Sequence, residues 1–423
     1  MHDHDLSPDE VPVEDLTWRE QEVLALLAGR LTNREIGDRL HLAETTVKSH
    51  VGSIISKLGV KNRRQAVERA KELGLLDPDR KTAPKLPIPL PAEPTPFIGR
   101  ANELAEIRHL LDETRLLTLT GTGGVGKTRL ALQIASDLHD KFENGVFFVS
   151  LAPISSGKHI VQTIAEAIGF PLSTEVTPTD QLLSHLRRRQ LLLVLDNFEH
   201  LLGDADIVAK ILQAAPNVKI LATSREKLKL QGEIALNITG MSFPEDETSA
   251  DFLTHDAIEL FLLSIRRVRP KFDPDADDLK QLMHICRLVE GMPLAIELAA
   301  GWMNVLSPEE LASEIQQSLD ILTSEMRDIP ERHHSMRAVF DQSWSLLTQA
   351  EREVFMRLSV FRGGFTREAG QAIAGASLQF LAGLVNKSFL RHDPTSGRFE
   401  IHELLRQYAH EHLEETSQEC ISA

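Results

Sequence analysis

The sequence predicts a multidomain chain: a small all-α module, a central α/β domain on a parallel sheet, a helical segment, and a last unit mixing helices with a β-hairpin. Three observations carry that expectation. At 423 residues the chain exceeds a single domain of roughly 100–200 residues, so three or four compact units are expected. Capped helical patterns fill 16–76, and apolar runs alternate with helical patterns from 115 to 224. Beyond about 250 the β runs give way to helical periodicity until the last unit.

Composition narrows the classes. Hydrophobic residues make up 42% and charged residues 26%, an ordinary globular mixture. No run approaches the roughly 20 apolar residues of a membrane helix. The opening MHDHDLSPDE has neither the basic end nor the apolar core of a signal peptide, so a cytoplasmic protein without membrane contact is expected. Cys286 and Cys420 lie too far apart to suggest a disulfide framework or metal cluster. The net charge of −16 argues against a chain coated with nucleic acid. Between Arg30 and Lys71, however, ten Lys or Arg face four acids, a local balance of +6. Nucleic acid would find its potential there.

After a tail at 1–15, the segment 16–76 reads as short helices. Thr17 with Glu20, and Thr32 with Glu35, fit capping boxes, and Gly29, Gly59 and Gly74 stand where left-handed helix stops are expected. The prolines of DPDRKTAPKLPIPLPAEPTP deny helix and sheet donors and mark a spacer at 77–96. RLLTLT, VFFVSLA, LLLVLD and KILATS then alternate with helices, as crossovers in a parallel α/β domain over 97–245 require. AIELFLL, LKQLMHICRLV and LAIELAAGWM fill a helical domain at 246–325. SFLRHD, SGRFEI and a last helix give 326–415 the helices-then-hairpin order of a winged helix, before a tail at 416–423.

Gly121-Thr-Gly-Gly-Val-Gly-Lys127-Thr128 matches the Walker A pattern in full, after a strand and before a helix. Such a P-loop closes backbone amides around phosphates, and the helix N-terminus adds positive potential. Gly121, Gly123, Gly124, Val125, Gly126, Lys127, Thr128 and the adjoining Arg129 are therefore the expected ATP/ADP cradle. Lys127 reaches the β and γ phosphates and Thr128 ligates Mg²⁺. LLLVLD ends in Asp196, a Walker B carboxylate that shares the Mg²⁺. Asn197 stands where an efficient hydrolase often carries an acid, so at most slow ATP hydrolysis is expected, with Glu199 a possible substitute.

From about 97 to 415 the order of motifs resembles the NB-ARC class of STAND nucleotide switches. Phe97-Ile98-Gly99-Arg100 resembles the family's first motif, beside adenine. Thr223-Ser224-Arg225 is similar to its sensor, whose Arg meets the γ-phosphate. Gly291-Met292-Pro293-Leu294-Ala295 resembles the GLPLA motif of a helical lid, where the proline packs on adenine. Ile401-His402-Glu403 resembles the MHD motif of a winged-helix domain, whose His touches the β-phosphate of ADP. Met292, Ile401 and Glu403 replace the family's Leu, Met and Asp. The resemblance implies nucleotide contacts at Phe97, Ile98, Arg225, Pro293 and His402, with Lys127, Asp196 and Arg225 as catalytic groups.

Residues 16–76 resemble the LuxR-type helix-turn-helix, notably LTWREQEVLALLAGRLTNREIG and TTVKSHVGSIISKLGVKNRRQAV. Independently, Val47, Val51, Ile54, Ile55 and Leu58 make one apolar helix stripe, with Thr45, Ser49, Gly52, Ser53 and Ser56 opposite. Small residues permit close approach to the major groove, while flanking Thr46, Lys48 and Lys57 reach phosphates or base edges. The resemblance adds Lys48, Ser49 and His50 as recognition positions and Asn33 as a phosphate contact. Ala43 stands where a capping Ser is more usual.

Together these imply a signal-dependent transcription regulator that binds double-stranded DNA, closed with ADP and self-associating with ATP. An ATP-driven DNA remodeller of the AAA+ type and a defence-type signalling scaffold are the alternatives. STAND proteins usually continue into a repeat-built sensor, whereas this sequence stops at Ala423. A removed sensor, one supplied by a separate sensor or effector protein, and a short regulator of longer relatives all fit.

Overall fold

The computed structural model describes every residue except 1–15, 17, 30, 41–42, 74, 77–89, 92, 174–175, 245–253, 325–332 and 423. It divides into two units, Met1–Pro89 and Leu90–Ala423.

The first unit contains α1 (Trp18–Ala28), α2 (Asn33–Leu40), α3 (Glu44–Lys57) and α4 (Arg63–Glu72). Val23, Leu24, Ile36, Val47, Ile54 and Ala66 are buried in one core, so the apolar stripe of α3 faces inward as its period demands. At the Thr32 capping box, the Thr32 N–H donates to Glu35 Oε2 at 2.7 Å and the Glu35 N–H donates to Thr32 Oγ1 at 3.3 Å. The Thr17 half of the other capping box, and Gly74, lie outside the described residues. Ala43 gives α3 no side-chain cap. Gly59 has φ +65°, the left-handed stop expected there, but Gly29 does not. Its N–H still donates to Ala25 O at 3.2 Å, continuing the helical winding. Space there is tight: a Cβ would lie 3.1 Å from Leu31 Cδ1 and 3.3 Å from Leu26 O.

The second unit opens with Leu90 already packed on a core, short of the expected spacer end at 96. Its sheet carries β1 (Leu116–Thr120), β2 (Val146–Ser150), β3 (Leu192–Asp196), β4 (Lys219–Thr223) and β5 (Glu233–Asn237) in the order β2-β3-β4-β1-β5, every pair parallel. Alternation sorts the two faces. Leu193, Leu195 and Ile220 pack with α7 (Ile160–Ala167), α8 (Pro178–Leu186) and α9 (Asp206–Ala214). Leu117, Leu119, Leu192 and Val194 pack with α5 (Ala101–Glu113) and α6 (Lys127–Asp137) on the other face. A parallel sheet covered on both faces explains the continuous apolar runs. β5 escaped the sequence reading because it is a half-buried edge, Glu233–Asn237, with no such run.

Four helices follow: α10 (Asp256–Val268), α11 (Ala276–Leu288), α12 (Pro293–Gly301) and α13 (Pro308–Gln317). Then come α14 (Met336–Trp344), α15 (Gln349–Leu358), α16 (Arg367–Ala374), α17 (Leu378–Asn386), the antiparallel pair β6 (Arg391–Asp393) and β7 (Arg398–Glu400), and α18 (Glu403–Ser422). One continuous core runs through all of them, from Met241 to Ala409. The expected boundaries at 245 and 325 fall at or beside residues outside the description.

In the first unit a buried carboxylate ties α1 to α3. Glu20, 3% exposed, accepts hydrogen bonds from Ser53 Oγ and, at 2.9 Å, from Lys57 Nζ. Glu20→Ala leaves both donors without that acceptor, so α3 should lose about 1–3 kcal/mol of protection. Amide hydrogen exchange along α3 checks this; unchanged protection would mean that the apolar stripe alone holds the helix.

Candidate functional site

The loop between β1 and α6 turns through glycines at positions where a side chain would bring strain or a close contact. Gly126, the residue before α6, has φ +92°, and a Cβ on Gly123 would lie 2.4 Å from Val339 Cγ1 of α14. Lys127 begins α6, and its Nζ donates to Gly121 O at 2.7 Å and Thr122 O at 2.9 Å. Burial draws the Lys127 ammonium down to a pKa of about 8, against the pull of the Glu199 carboxylate, with Arg225 adding to the drop and Asp196 opposing it.

Asp196 ends β3 and is 3% exposed. Its Oδ1 accepts from Thr128 Oγ1 and from Thr223 Oγ1, each at 2.7 Å. Thr223 Oγ1 in turn accepts the N–H of Asn197 at 2.9 Å, a residue held at φ +66°. Thr128 and Asp196 thus meet across 68 positions of sequence, the oxygen pair that a divalent cation at a P-loop takes. That hydroxyl–carboxylate pair fits Mg²⁺ chemistry, and the left-handed glycines with the ammonium beside them fit a polyphosphate.

Arg225 is 5% exposed and lies between two parts of the unit. Its Nε pairs with Glu199 Oε1 at 3.1 Å, and its Nη2 donates to Gln342 Oε1 at 2.6 Å. Its Nη1 donates to Ser343 Oγ, and Ser388 Oγ donates to Arg225 O at 2.6 Å. Glu199 is therefore a member of the site: it is 7% exposed, on Arg225 and in the field of Lys127. The sequence offers Glu199 as a substitute for the acid absent at Asn197, but no periodicity fixed its direction. Gln342 and Ser343 carried no signal at all, being 117 and 118 residues from Arg225.

A cleft of about 410 Å³ runs from Gly121, Thr122 and Val125 past Asn237–Gly240 and Glu290 to Arg391 and His402. The Leu404 N–H donates to His402 Nδ1 at 3.2 Å, which leaves the ring proton on Nε2. That Nε2 is shielded from solvent with no hydrogen-bond partner among the described residues. Glu290, at φ +45°, accepts the Glu403 N–H at 2.6 Å. Glu403 turns its carboxylate to Arg406, at 2.7 and 2.8 Å. Pro293, the first residue of α12, lies with its Cγ 3.8 Å from where a Gly126 Cβ would stand.

Three residues with expected nucleotide contacts have partners within the protein. Phe97 and Ile98 pack their side chains on two hydrophobic cores. Arg129 turns from the phosphate loop: its Nη2 donates to Thr95 O at 2.8 Å and Pro96 O at 3.0 Å, because α6 points position 129 at the segment before α5.

On the first unit, Thr45, Lys48, Ser49, Gly52 and Ser56 are exposed along α3, with Thr46 and His50 half-buried beside them. Asn33 begins α2, with Oδ1 shielded from solvent. Lys57 differs from expectation: its ammonium pairs with Glu20 and is 21% exposed, so it fastens α3 to α1. Ser53 is bound to the same carboxylate.

Residues 14–70 match the model of bacterial regulatory proteins of the LuxR family, and residues 108–230 match an AAA domain model. The fold and the two sites therefore define a LuxR-type helix-turn-helix joined to a P-loop NTPase domain. A protein of Mycobacterium tuberculosis named as an HTH-type transcriptional regulator, Rv0890c, is 38% identical over 75% of this chain; the chain spans 36% of its length. The chain belongs to the family of a second M. tuberculosis protein, Rv0894, at 35% identity over 77% of this chain and 83% of that one. Among solved structures, a Walker-type ATPase of Pyrococcus abyssi is 12% identical with a TM-score of 0.49, covering 74% of this chain and 95% of that one. Among the described residues no helix is long and apolar enough to cross a membrane.

Two outcomes follow for the named lysines. A phosphate on Lys127 favours its charged form, so nucleotide binding takes up a proton wherever the free protein holds the lysine neutral. ADP affinity should be flat below about pH 7 and fall above about pH 8, towards tenfold per pH unit, with the proton uptake visible by calorimetry in two buffers. Lys48→Ala should weaken DNA binding and lower the salt slope by about 1, while Lys57→Ala should chiefly loosen α3. Equal slopes for Lys48→Ala and wild type would remove Lys48 from the interface.

Proposed function

We propose that this chain is a nucleotide-switched transcription regulator in which ADP holds the segments after 245 closed on the P-loop and ATP releases them. In this reading 246–325 is a lid and 326–415 a winged helix that acts on the nucleotide site. The carrying observation is that Arg225, the sensor arginine, is hydrogen-bonded by Gln342 and Ser343 of α14. That guanidinium also stands beside the P-loop, its Nη2 3.4 Å from where a Gly123 Cβ would be, so a γ-phosphate that drew on it would bear on α14. His402 supports the same reading, since its Nε2–H lacks an acceptor among the described residues and lines a cleft that begins at the P-loop.

Lys127 neutralises phosphate charge, the amides of 123–128 bind phosphate oxygens, and Thr128 with Asp196 would hold Mg²⁺. The ion would supply positive charge that offsets the phosphates. Asn197 cannot take a proton from water as an acid side chain can, which suits a slow hydrolase used as a timer. Self-association in the ATP state would bring two N-terminal modules to two half-sites, since one short recognition helix reads few bases. A second reading, an ATP-driven DNA remodeller of the AAA+ type, is favoured by the AAA domain match at 108–230.

The purified, undialysed protein, once denatured, should release near-stoichiometric ADP on an ion-exchange column. Replacing Gln342 and Ser343 by Ala should speed ADP exchange about tenfold, as expected from losing hydrogen bonds to a charged group. Identical mass and identical operator affinity with ADP and ATP would sink the switch, and fast DNA-stimulated turnover would favour the remodeller.

A further inference from the structure

Arg100 is 3% exposed, a cation almost wholly withdrawn from water. Burial lowers its pKa, against the attraction of Glu103 and Asp256. Its nearest carboxylate by side-chain hydrogen bond, Glu103 at 3.4 Å, is a loose partner on a half-buried residue. Its close contacts are to backbone. Nη2 donates to Val125 O of the P-loop at 2.9 Å and to Thr239 O, just past β5, at 3.0 Å. The Arg100 backbone is itself held in place. It adopts φ +59°, its N–H donates to Asp256 Oδ2 at 2.7 Å, and a Cβ on the preceding Gly99 would lie 2.1 Å from Asp256 Cγ.

In a planar trans peptide the C=O and the following N–H point in opposite directions. A guanidinium that fixes the Val125 carbonyl on one side therefore fixes the Gly126 N–H on the other. One residue earlier, the Leu294 N–H of α12 donates to Gly124 O at 3.3 Å, and the same rule then directs the Val125 N–H. Two consecutive peptides of a glycine turn, which has little steric preference of its own, are thus oriented by groups outside it.

The geometry points to Arg100 as a positioning residue of the phosphate cradle: by holding the Val125 carbonyl it aims the Gly126 amide at the β-phosphate of a bound nucleotide. This rests on the nucleotide reading above and adds a residue that acts on phosphate without touching it. It also separates Arg100 from Lys127, which meets the anion directly.

The test compares ADP with AMP, since only ADP brings a β-phosphate to the loop. Affinities are measured by calorimetry on the full chain for wild type, Arg100→Gln and Arg100→Lys, with thermal unfolding as a control. Arg100→Gln should lose about 10- to 100-fold in ADP affinity, the scale of losing a charge-assisted hydrogen bond, and AMP affinity should change little. Arg100→Lys keeps a cation that can reach a carbonyl and should recover part of the loss. Equal losses for ADP and AMP, or no loss at all in a folded variant, would overturn the positioning role. If Arg100→Gln fails to fold, Arg100→Lys decides by the same ADP to AMP ratio, which must fall below that of wild type. Wild-type protein that binds neither nucleotide would overturn the nucleotide reading itself, whereas wild-type binding with an unchanged ratio overturns only Arg100.

Discussion

A loop of glycines has no side chains with which to hold its own shape, so the phosphate cradle depends on groups donated to its carbonyls from elsewhere. Gly121 O and Thr122 O take the Lys127 ammonium, Gly124 O takes the Leu294 N–H, and Val125 O takes Arg100. Those donors come from α6, from the first turn of α12 and from the segment before α5. Any rearrangement of α12 therefore reaches the loop through a main-chain hydrogen bond.

The other side of the site is organised by buried carboxylates. Asp196 gathers Thr128 and Thr223, and Glu199 faces Arg225, which continues to α14. Buried charge is tolerable only when paired, so breaking one partner is expensive. The cleft is lined by Gly121, Thr122 and Val125 of the loop at one end and by His402 at the other, so a ligand that fills it touches the loop and the segment before α18.

The first unit rests on a different balance. Its helices have an ordinary apolar core, and the ion pair of Glu20 with Lys57 sets how α3 lies on α1. Thr45, Lys48 and Ser49 then remain on the outward face. One lysine of the expected recognition face therefore serves the scaffold.

Much of this was legible beforehand because it is local. The Walker A spelling, the continuous apolar strands, the Thr32 capping box and the stripe of α3 all follow from residue type at short spacing, which sets backbone conformation and burial directly. Less was legible where partners are distant. Gly29 reads as a left-handed stop, yet its φ is not positive and its position is instead tight against Leu31. Arg129 follows the P-loop in sequence, but helical rotation turns it to Thr95 and Pro96. The sequence by itself determined the helix-turn-helix and the P-loop domain, the position of the phosphate loop and the basic segment from Arg30 to Lys71. Tertiary structure alone decided that Arg225 meets α14, that Glu290 caps the turn at Glu403 and that Arg100 grips the P-loop. Those pairings cross 100 residues or more, or join a side chain to a backbone carbonyl, and neither leaves a periodic trace in the chain.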